Sequence, residues 1–237
     1  MYENIKIIKV VERNIKEWEG KGATILFLGG CNFRCPYCNQ KDLVLNSSNI
    51  QDIPYEEIRE FLMANKKWIE VVVISGGEPT LNQSLFPLLQ DLKKLGFLTK
   101  VLTNGTNDLL IRKILPMKLI DLLSIDIKAP LNDLKYREVT KINIDLRNLK
   151  NLLLFLKSSS FEYEISVTPH PLTMSEEDFE EIIENIGTVK RFSIRKIEKN
   201  DFLDEKLKNV ETYSDEYINM LYLKAKRYFK DSIVRVI

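Results

Sequence analysis

The chain's three cysteines, Cys31, Cys35 and Cys38, all fall between positions 31 and 38. An odd, tightly clustered set is no disulfide framework, which needs an even number spread along the chain. In a reducing compartment such a loop reads as a metal site. The spacing is C-x3-C-x2-C, and thiolates on a compact loop suit zinc or an iron–sulfur cluster. A structural zinc site wants a fourth ligand at comparable spacing, yet the sole histidine, His170, lies far along the chain. Three thiolates on a four-iron cluster leave one iron open to an outside ligand, which is an asset for catalysis and a defect for a structural site.

Other unusual polar residues follow short apolar runs. Gly30-Cys31 closes the run 24–29, and Gly76-Gly77-Glu78-Pro79 closes 71–75. Thr103-Asn104-Gly105 follows 100–103, Asp126 and Lys128 close 122–128, and Thr168-Pro169-His170 closes 162–168. A sixth run, 191–197, carries Arg195 and Lys196 at its end. Ser124, Asp126 and Lys128 alternate with Leu123, Ile125 and Ile127, so the three polar side chains share one strand face. Such a face in a parallel strand is costly unless it lines a site.

The elements that must position these residues alternate. Each β-branched run is followed by an amphipathic stretch, the signature of βα units and a parallel sheet. Leu85, Leu88, Leu89, Leu92 and Leu95 line one helical face, and Leu146, Leu149, Leu152, Leu153 and Leu156 another. Ser175 with Asp178 reads as an N-cap opening a helix whose core face is Phe179, Ile182, Ile183 and Ile186. Tyr217, Leu221 and Tyr228 indicate a C-terminal helix before a short apolar end. The segments 39–53 and 129–144 read as long loops, a length often tied to function. Six βα units are too few for a closed eight-stranded barrel, so a curved, partly open barrel or an open sheet is expected. In either, active sites form at the carboxyl ends of parallel strands.

Bulk properties narrow the classes. With 44% hydrophobic residues the chain can bury a core, and 35 basic against 34 acidic residues call for neither nucleic acid nor an anionic membrane. The amino terminus lacks the apolar core of a signal peptide, and no apolar run is long enough to span a bilayer. A soluble cytoplasmic protein is expected.

Cys31–Cys38, with an aromatic before the third cysteine and Gly-Gly-Glu-Pro about forty residues on, resembles the radical S-adenosylmethionine superfamily. The likeness continues through Thr103-Asn104-Gly105, Asp126-Ile127-Lys128, Tyr136…Thr140 and Leu203-Asp204. Within the superfamily the sequence is most similar to activating enzymes of glycyl-radical enzymes, especially those of anaerobic ribonucleotide reductase. The resemblance implies an α/β fold, a partial (β/α)6 barrel of parallel strands with a C-terminal helix appended, forming a single domain over 1–237 with its core at about 20–213. It implies that Cys31, Cys35 and Cys38 ligate a [4Fe–4S] cluster while S-adenosylmethionine chelates the open iron. Tyr37 would pack near the adenine, and Gly76, Gly77 and Glu78 would receive the methionyl amino group. Asn104, Asp126, Lys128 and His170 would contact ribose or carboxylate. The implied partners are a glycyl-radical protein as hydrogen donor and an electron donor such as ferredoxin or flavodoxin. Three features depart from the activating-enzyme pattern: Asn39-Gln40 stands for His-Asn, Glu17-Trp18-Glu19-Gly20 for Asp-Tyr-Pro-Gly, and Lys141 for glycine. Two other readings compete. One is a radical enzyme acting on a small molecule, as a 7-carboxy-7-deazaguanine synthase does, although that family has Cys-Asp-Thr where Cys38-Asn39-Gln40 stands. The other is a non-catalytic metal-binding module.

Overall fold

A computed structural model describes residues 5–197 and 202–237. The chain divides into two compact units, one comprising the residues through 32 with 42–103 and 109–123, the other 33–41, 104–108 and 124–237. The class is α/β with mostly parallel strands, as the alternation of runs implies.

The first unit carries β1 (Lys9–Asn14), β2 (Ala23–Leu28), α1 (Lys41–Leu45), α2 (Tyr55–Ala64), β3 (Val71–Gly76), α3 (Leu85–Lys94), β4 (Leu98–Thr103) and α4 (Asp108–Ile114). Its strands lie in the order β1-β2-β3-β4. β1 runs antiparallel to β2, whereas β2, β3 and β4 are parallel, with Ala23 beside Val71 and Val71 beside Leu98. Val71 to Ile74 are wholly buried, as a parallel strand covered on both faces requires. α3 covers the sheet with Leu85, Leu88, Leu89 and Leu92, the face that the 3.6-residue period marks.

The second unit holds β5 (Leu122–Ile127), α5 (Asp133–Thr140), α6 (Arg147–Lys157), β6 (Tyr163–Val167), α7 (Glu176–Ile186), β7 (Arg191–Ile194), α8 (Asp215–Tyr228) and β8 (Ile233–Val236). Its strand order is β5-β6-β7-β8, and β6, β7 and β8 are parallel, with Ser166 beside Ser193 and Ser193 beside Arg235. Leu149, Leu152, Leu153 and Leu156 of α6 are buried, as are Phe179, Ile182, Ile183 and Ile186 of α7. The Ser175–Asp178 capping box that opens α7 is formed in both directions.

Two strands and two helices go beyond the sequence expectation. β1 is a mostly polar edge strand with no buried residue, so it lacks the apolar run that marks the others. β8 is the short apolar end. The segments 39–53 and 129–144 contain α1 and α5, which are short and only partly apolar. Among the described residues no helix is long and apolar enough to cross a membrane.

Each unit also buries an ion pair. In the first, the Lys100 ammonium donates to the Glu17 carboxylate at 3.0 Å and to the Glu17 carbonyl at 2.8 Å. In the second, Arg235 is paired with Glu164, whose other oxygen accepts from Ser124 Oγ at 2.9 Å.

Candidate active site

In the first unit the chain leaves β2 through Gly29 and Gly30. Gly30 adopts φ +84° and donates its N–H to the Leu43 carbonyl at 2.8 Å, which turns the backbone into Cys31. The Gly-Gly-Glu motif runs directly alongside. Gly77 N–H donates to Leu28 O at 2.9 Å and Glu78 N–H to Gly30 O at 2.7 Å. A Cβ on Gly76 would lie 1.9 Å from Leu28 O, and one on Gly77 1.9 Å from Gly30 O, so only glycine permits this approach. Glu78 is buried, and its Oε1 accepts from Thr80 N–H (3.0 Å), Thr80 Oγ (2.6 Å) and Thr103 Oγ (2.7 Å). The carboxylate thus ties the end of β3 to the end of β4.

In the second unit the loop carrying Cys35 and Cys38 is anchored at both ends. Arg34 N–H donates to Thr140 O, Leu203 N–H to Cys38 O and Asp204 N–H to Pro36 O, all at 2.9–3.0 Å. Cys38 N–H closes a turn onto Cys35 O. None of the three cysteines is in a disulfide, and burial pushes the Cys38 thiol above its ordinary pKa. Among the described residues no three side chains of His, Cys, Asp and Glu are grouped closely enough to hold a metal ion as they stand.

Beside that loop stand an aromatic stack and an ion pair. Tyr37 is stacked on His170 (centroids 5.9 Å apart, planes 14°), and Phe202 meets the imidazole edge-on at 5.7 Å. Lys128 Nζ lies 5.8 Å over the Tyr37 ring and 2.5 Å from Asp126 Oδ2. Burial alone would pull the Lys128 pKa down; the neighbouring Asp126 carboxylate and lesser charges outweigh it and hold the ammonium well above its ordinary range. Burial raises the Tyr37 hydroxyl against the opposing Lys128 charge. Tyr136 OH accepts the Lys128 N–H at 3.1 Å, fixing the end of β5, and Phe33 packs edge-on against its ring.

Two buried atoms here have no hydrogen-bond partner: Asp126 Oδ1 and His170 Nε2. His170 Nδ1 accepts from the Leu172 N–H at 3.3 Å, which places the proton of a neutral ring on Nε2. The first atom is therefore an acceptor and the second a donor. Such orphans call for a ligand or a bound water, and a ligand bearing hydroxyl and carboxylate groups suits both. The soft thiols of the adjoining loop suit an iron–sulfur cluster.

The second unit therefore brings together Cys35, Tyr37, Cys38, Asp126, Lys128 and His170, and the first holds Cys31 beside Gly76, Gly77 and Glu78. Asn104 does not join either group by its carbonyl oxygen, which closes a turn onto Thr106 N and Oγ at 3.1 and 2.7 Å. Lys196 is directed to Asp215 of α8 at 2.5 Å. Sequence reasoning quoted Tyr136…Thr140 as a motif without giving the Tyr136 hydroxyl a role, and it did not single out Phe202, because an aromatic in a short helix or loop reads first as core.

Residues 25–186 match the family described as the Radical SAM superfamily. A protein of Methanocaldococcus jannaschii, provisionally named a glycyl-radical enzyme activating enzyme, is 31% identical over 96% of this chain and 95% of its own length. A 7-carboxy-7-deazaguanine synthase of Synechocystis is 33% identical over a shorter stretch, 37% of this chain and 40% of that enzyme. Among solved structures, Streptococcus suis SuiB bound to S-adenosylmethionine matches with a TM-score of 0.64 at 17% identity, over 90% of this chain and 48% of that one. The last likeness concerns the fold alone.

Proposed function

Because the chain belongs to the radical SAM superfamily, we propose that it cleaves S-adenosylmethionine reductively and directs the radical so formed at a glycine of a partner protein. Membership implies a [4Fe–4S] cluster and S-adenosylmethionine. When bound, the reduced cluster supplies the electron that breaks the sulfonium bond, releasing methionine and a 5′-deoxyadenosyl radical. Cys31, Cys35 and Cys38 would hold it, with a ferredoxin- or flavodoxin-type protein as electron donor.

The protein's own residues bind, orient and shield. The paired glycines bring the backbone of residues 76–78 against the turn that carries Cys31, and Glu78 stiffens that junction through Thr80 and Thr103. Tyr37 and His170 offer flat surfaces suited to a purine. His170 Nε2–H donates and Asp126 Oδ1 accepts, a pairing suited to ribose hydroxyls or a carboxylate. Lys128 keeps a fixed positive charge in a site shielded from water, where charge acts strongly. Burial of this group of side chains excludes the solvent that would quench a carbon radical.

The observation that carries the reading is the juxtaposition, within one unit, of the anchored Cys35–Cys38 loop with the partnerless Asp126 and His170 atoms. The glycyl specialisation is supported by the end-to-end similarity to the M. jannaschii protein. The test uses protein reconstituted anaerobically, reduced with dithionite and given S-adenosylmethionine, with Cys35→Ala as control. 5′-Deoxyadenosine from the wild type alone supports the cleavage, and a glycyl-radical resonance on a co-expressed candidate partner supports the donor. The local similarity to the deazaguanine synthases favours one second reading, a small-molecule substrate. Turnover of such a molecule by the isolated protein, with no glycyl radical on any candidate, would decide for it.

A further inference from the structure

Lys128 and Asp126 form an ion pair that sits asymmetrically beside the cysteine turn. Strand alternation puts both side chains on one face of β5, with Asp126 about 7 Å further back along the chain than Lys128. The ammonium, just past the strand's end, lies 5.8 Å over the Tyr37 ring, and Tyr37 is enclosed by the Cys35–Cys38 turn. The positive end of the pair is thus the end against the turn. Helix α5 fixes this spacing. Tyr136 OH accepts from the Lys128 N–H at 3.1 Å, and Thr140 O, one turn on, accepts at 2.9 Å from the N–H of Arg34, the residue before Cys35.

The electrostatics agree with this placement. Burial raises the Cys38 thiol; against it work the Gln40 backbone N–H and then the Lys128 charge, and the opposing Asp126 charge is the smallest influence of the four. The Lys128 charge also reaches Cys35. The side chains of Lys128 and Asp126 keep 16% and 20% exposure, so the pair is not sealed in the core. A fixed positive charge favours the form of a neighbouring centre that carries one more electron. Charge and hydrogen bonding around the sulfurs set the potential of a cluster.

We propose that the Lys128 ammonium, beyond any contact with S-adenosylmethionine, raises the reduction potential of the cluster held at this turn, and that the Asp126 carboxylate lowers it. This rests on the reading that Cys35 and Cys38 hold a [4Fe–4S] cluster. One electron enters from the ferredoxin- or flavodoxin-type donor, and no proton moves, because the ammonium is already charged. At a given donor potential a larger share of the protein is then reduced.

The test is a redox titration of anaerobically reconstituted protein without S-adenosylmethionine, using dithionite and mediator dyes. Electron paramagnetic resonance counts the reduced cluster, and iron content is measured for each variant. At the wild-type midpoint Lys128→Met should lower the ratio of reduced to oxidised cluster about three- to ten-fold, a downward shift of about 30–60 mV. Asp126→Asn should move the midpoint upwards. Lys128→Arg, which keeps the charge, should stay near the wild type. A Lys128→Met midpoint at or above the wild type, or an Asp126→Asn midpoint at or below it, would overturn the proposal and leave the pair as ligand contacts with the cluster reading intact. A Lys128→Arg midpoint as low as that of Lys128→Met would overturn it too, because packing and not charge would then set the potential. Should Lys128→Met fail to load iron, Asp126→Asn decides alone by the same criterion. A wild type that holds no iron–sulfur cluster after reconstitution would sink the cluster reading and this proposal with it.

Discussion

His170 is the one imidazole in the chain, and it sits wholly buried between Tyr37 and Phe202. Burial lowers its pKa below the ordinary value of about 6.5. The folded state therefore favours the neutral ring. Its contribution to stability is complete above the unfolded pKa and is lost as pH falls through the folded one. Because no other histidine contributes, the ring resonances of His170 should titrate with a midpoint below about 6.5 in an NMR pH series; a midpoint above that value would refute the buried neutral tautomer. Lys128 shows the opposite sign. Its raised pKa keeps the ion pair with Asp126 in place through neutral pH, and the contribution fades only as pH rises beyond the ordinary lysine range of about 10.4. Asp126→Asn removes the charge that holds this ammonium and replaces an acceptor suited to a hydroxyl ligand. S-adenosylmethionine affinity should drop about ten- to hundred-fold, read by equilibrium dialysis, and an unchanged affinity would remove Asp126 from the site. These two residues were legible because strand alternation puts them on one face. The stack of Tyr37 on His170 was not, since no local period relates residues more than a hundred positions apart.

At the scale of elements, the Gly-Gly-Glu-Pro segment combines ligand-binding expectation with an architectural need. Gly76 has φ +130°, a conformation open to glycine, and its neighbour stands flush against Gly30. Gly77→Ala would drive a methyl group into the Gly30 carbonyl and pry the end of β3 from the turn before Cys31. The expected cost is about 1–3 kcal/mol, seen as a lower urea midpoint, together with weaker retention of the cluster's visible absorbance after reconstitution. Wild-type stability with normal loading would contradict the close approach. Ser175→Ala, by contrast, should remove only the cap of α7 and cost about 1 kcal/mol with no effect on loading. The helices α3, α6 and α7 were readable because each buries a complete apolar stripe. β1 was unreadable because an edge strand with exposed, charged positions has no period to detect. α5 escaped notice because its buried residues are Tyr136, Val139 and Thr140, which a leucine-seeking pattern passes over.

For the molecule as a whole, fold class and family were legible because they rest on alternating runs and on short motifs at strand ends. The buried charges were not. Lys100 and Glu164 interrupt otherwise apolar runs, a visible anomaly, but nothing local says that their partners are Glu17, in the segment between β1 and β2, and Arg235, in the last strand. These pairs staple remote parts of the chain within each unit, and the Lys100–Glu17 pair makes the sharper test because neither residue carries a proposed cofactor role. Lys100 is fully buried and Glu17 nearly so. Replacing Lys100 with Met keeps the length of the side chain and removes its charge, so the Glu17 carboxylate must stay in a dry site without its counter-ion or be pulled out of it. Breaking a buried pair from one side costs about 3–5 kcal/mol, whereas replacing both partners by apolar groups is often neutral or better. Lys100→Met should therefore lower the guanidinium unfolding midpoint markedly, and Glu17→Leu combined with Lys100→Met should recover most of the loss. If the double variant is as unstable as the single one, packing around the lysine stem, rather than charge pairing, secures that segment. If the single variant is as stable as the wild type, Glu17 reaches solvent at no cost and the pair contributes nothing to the fold.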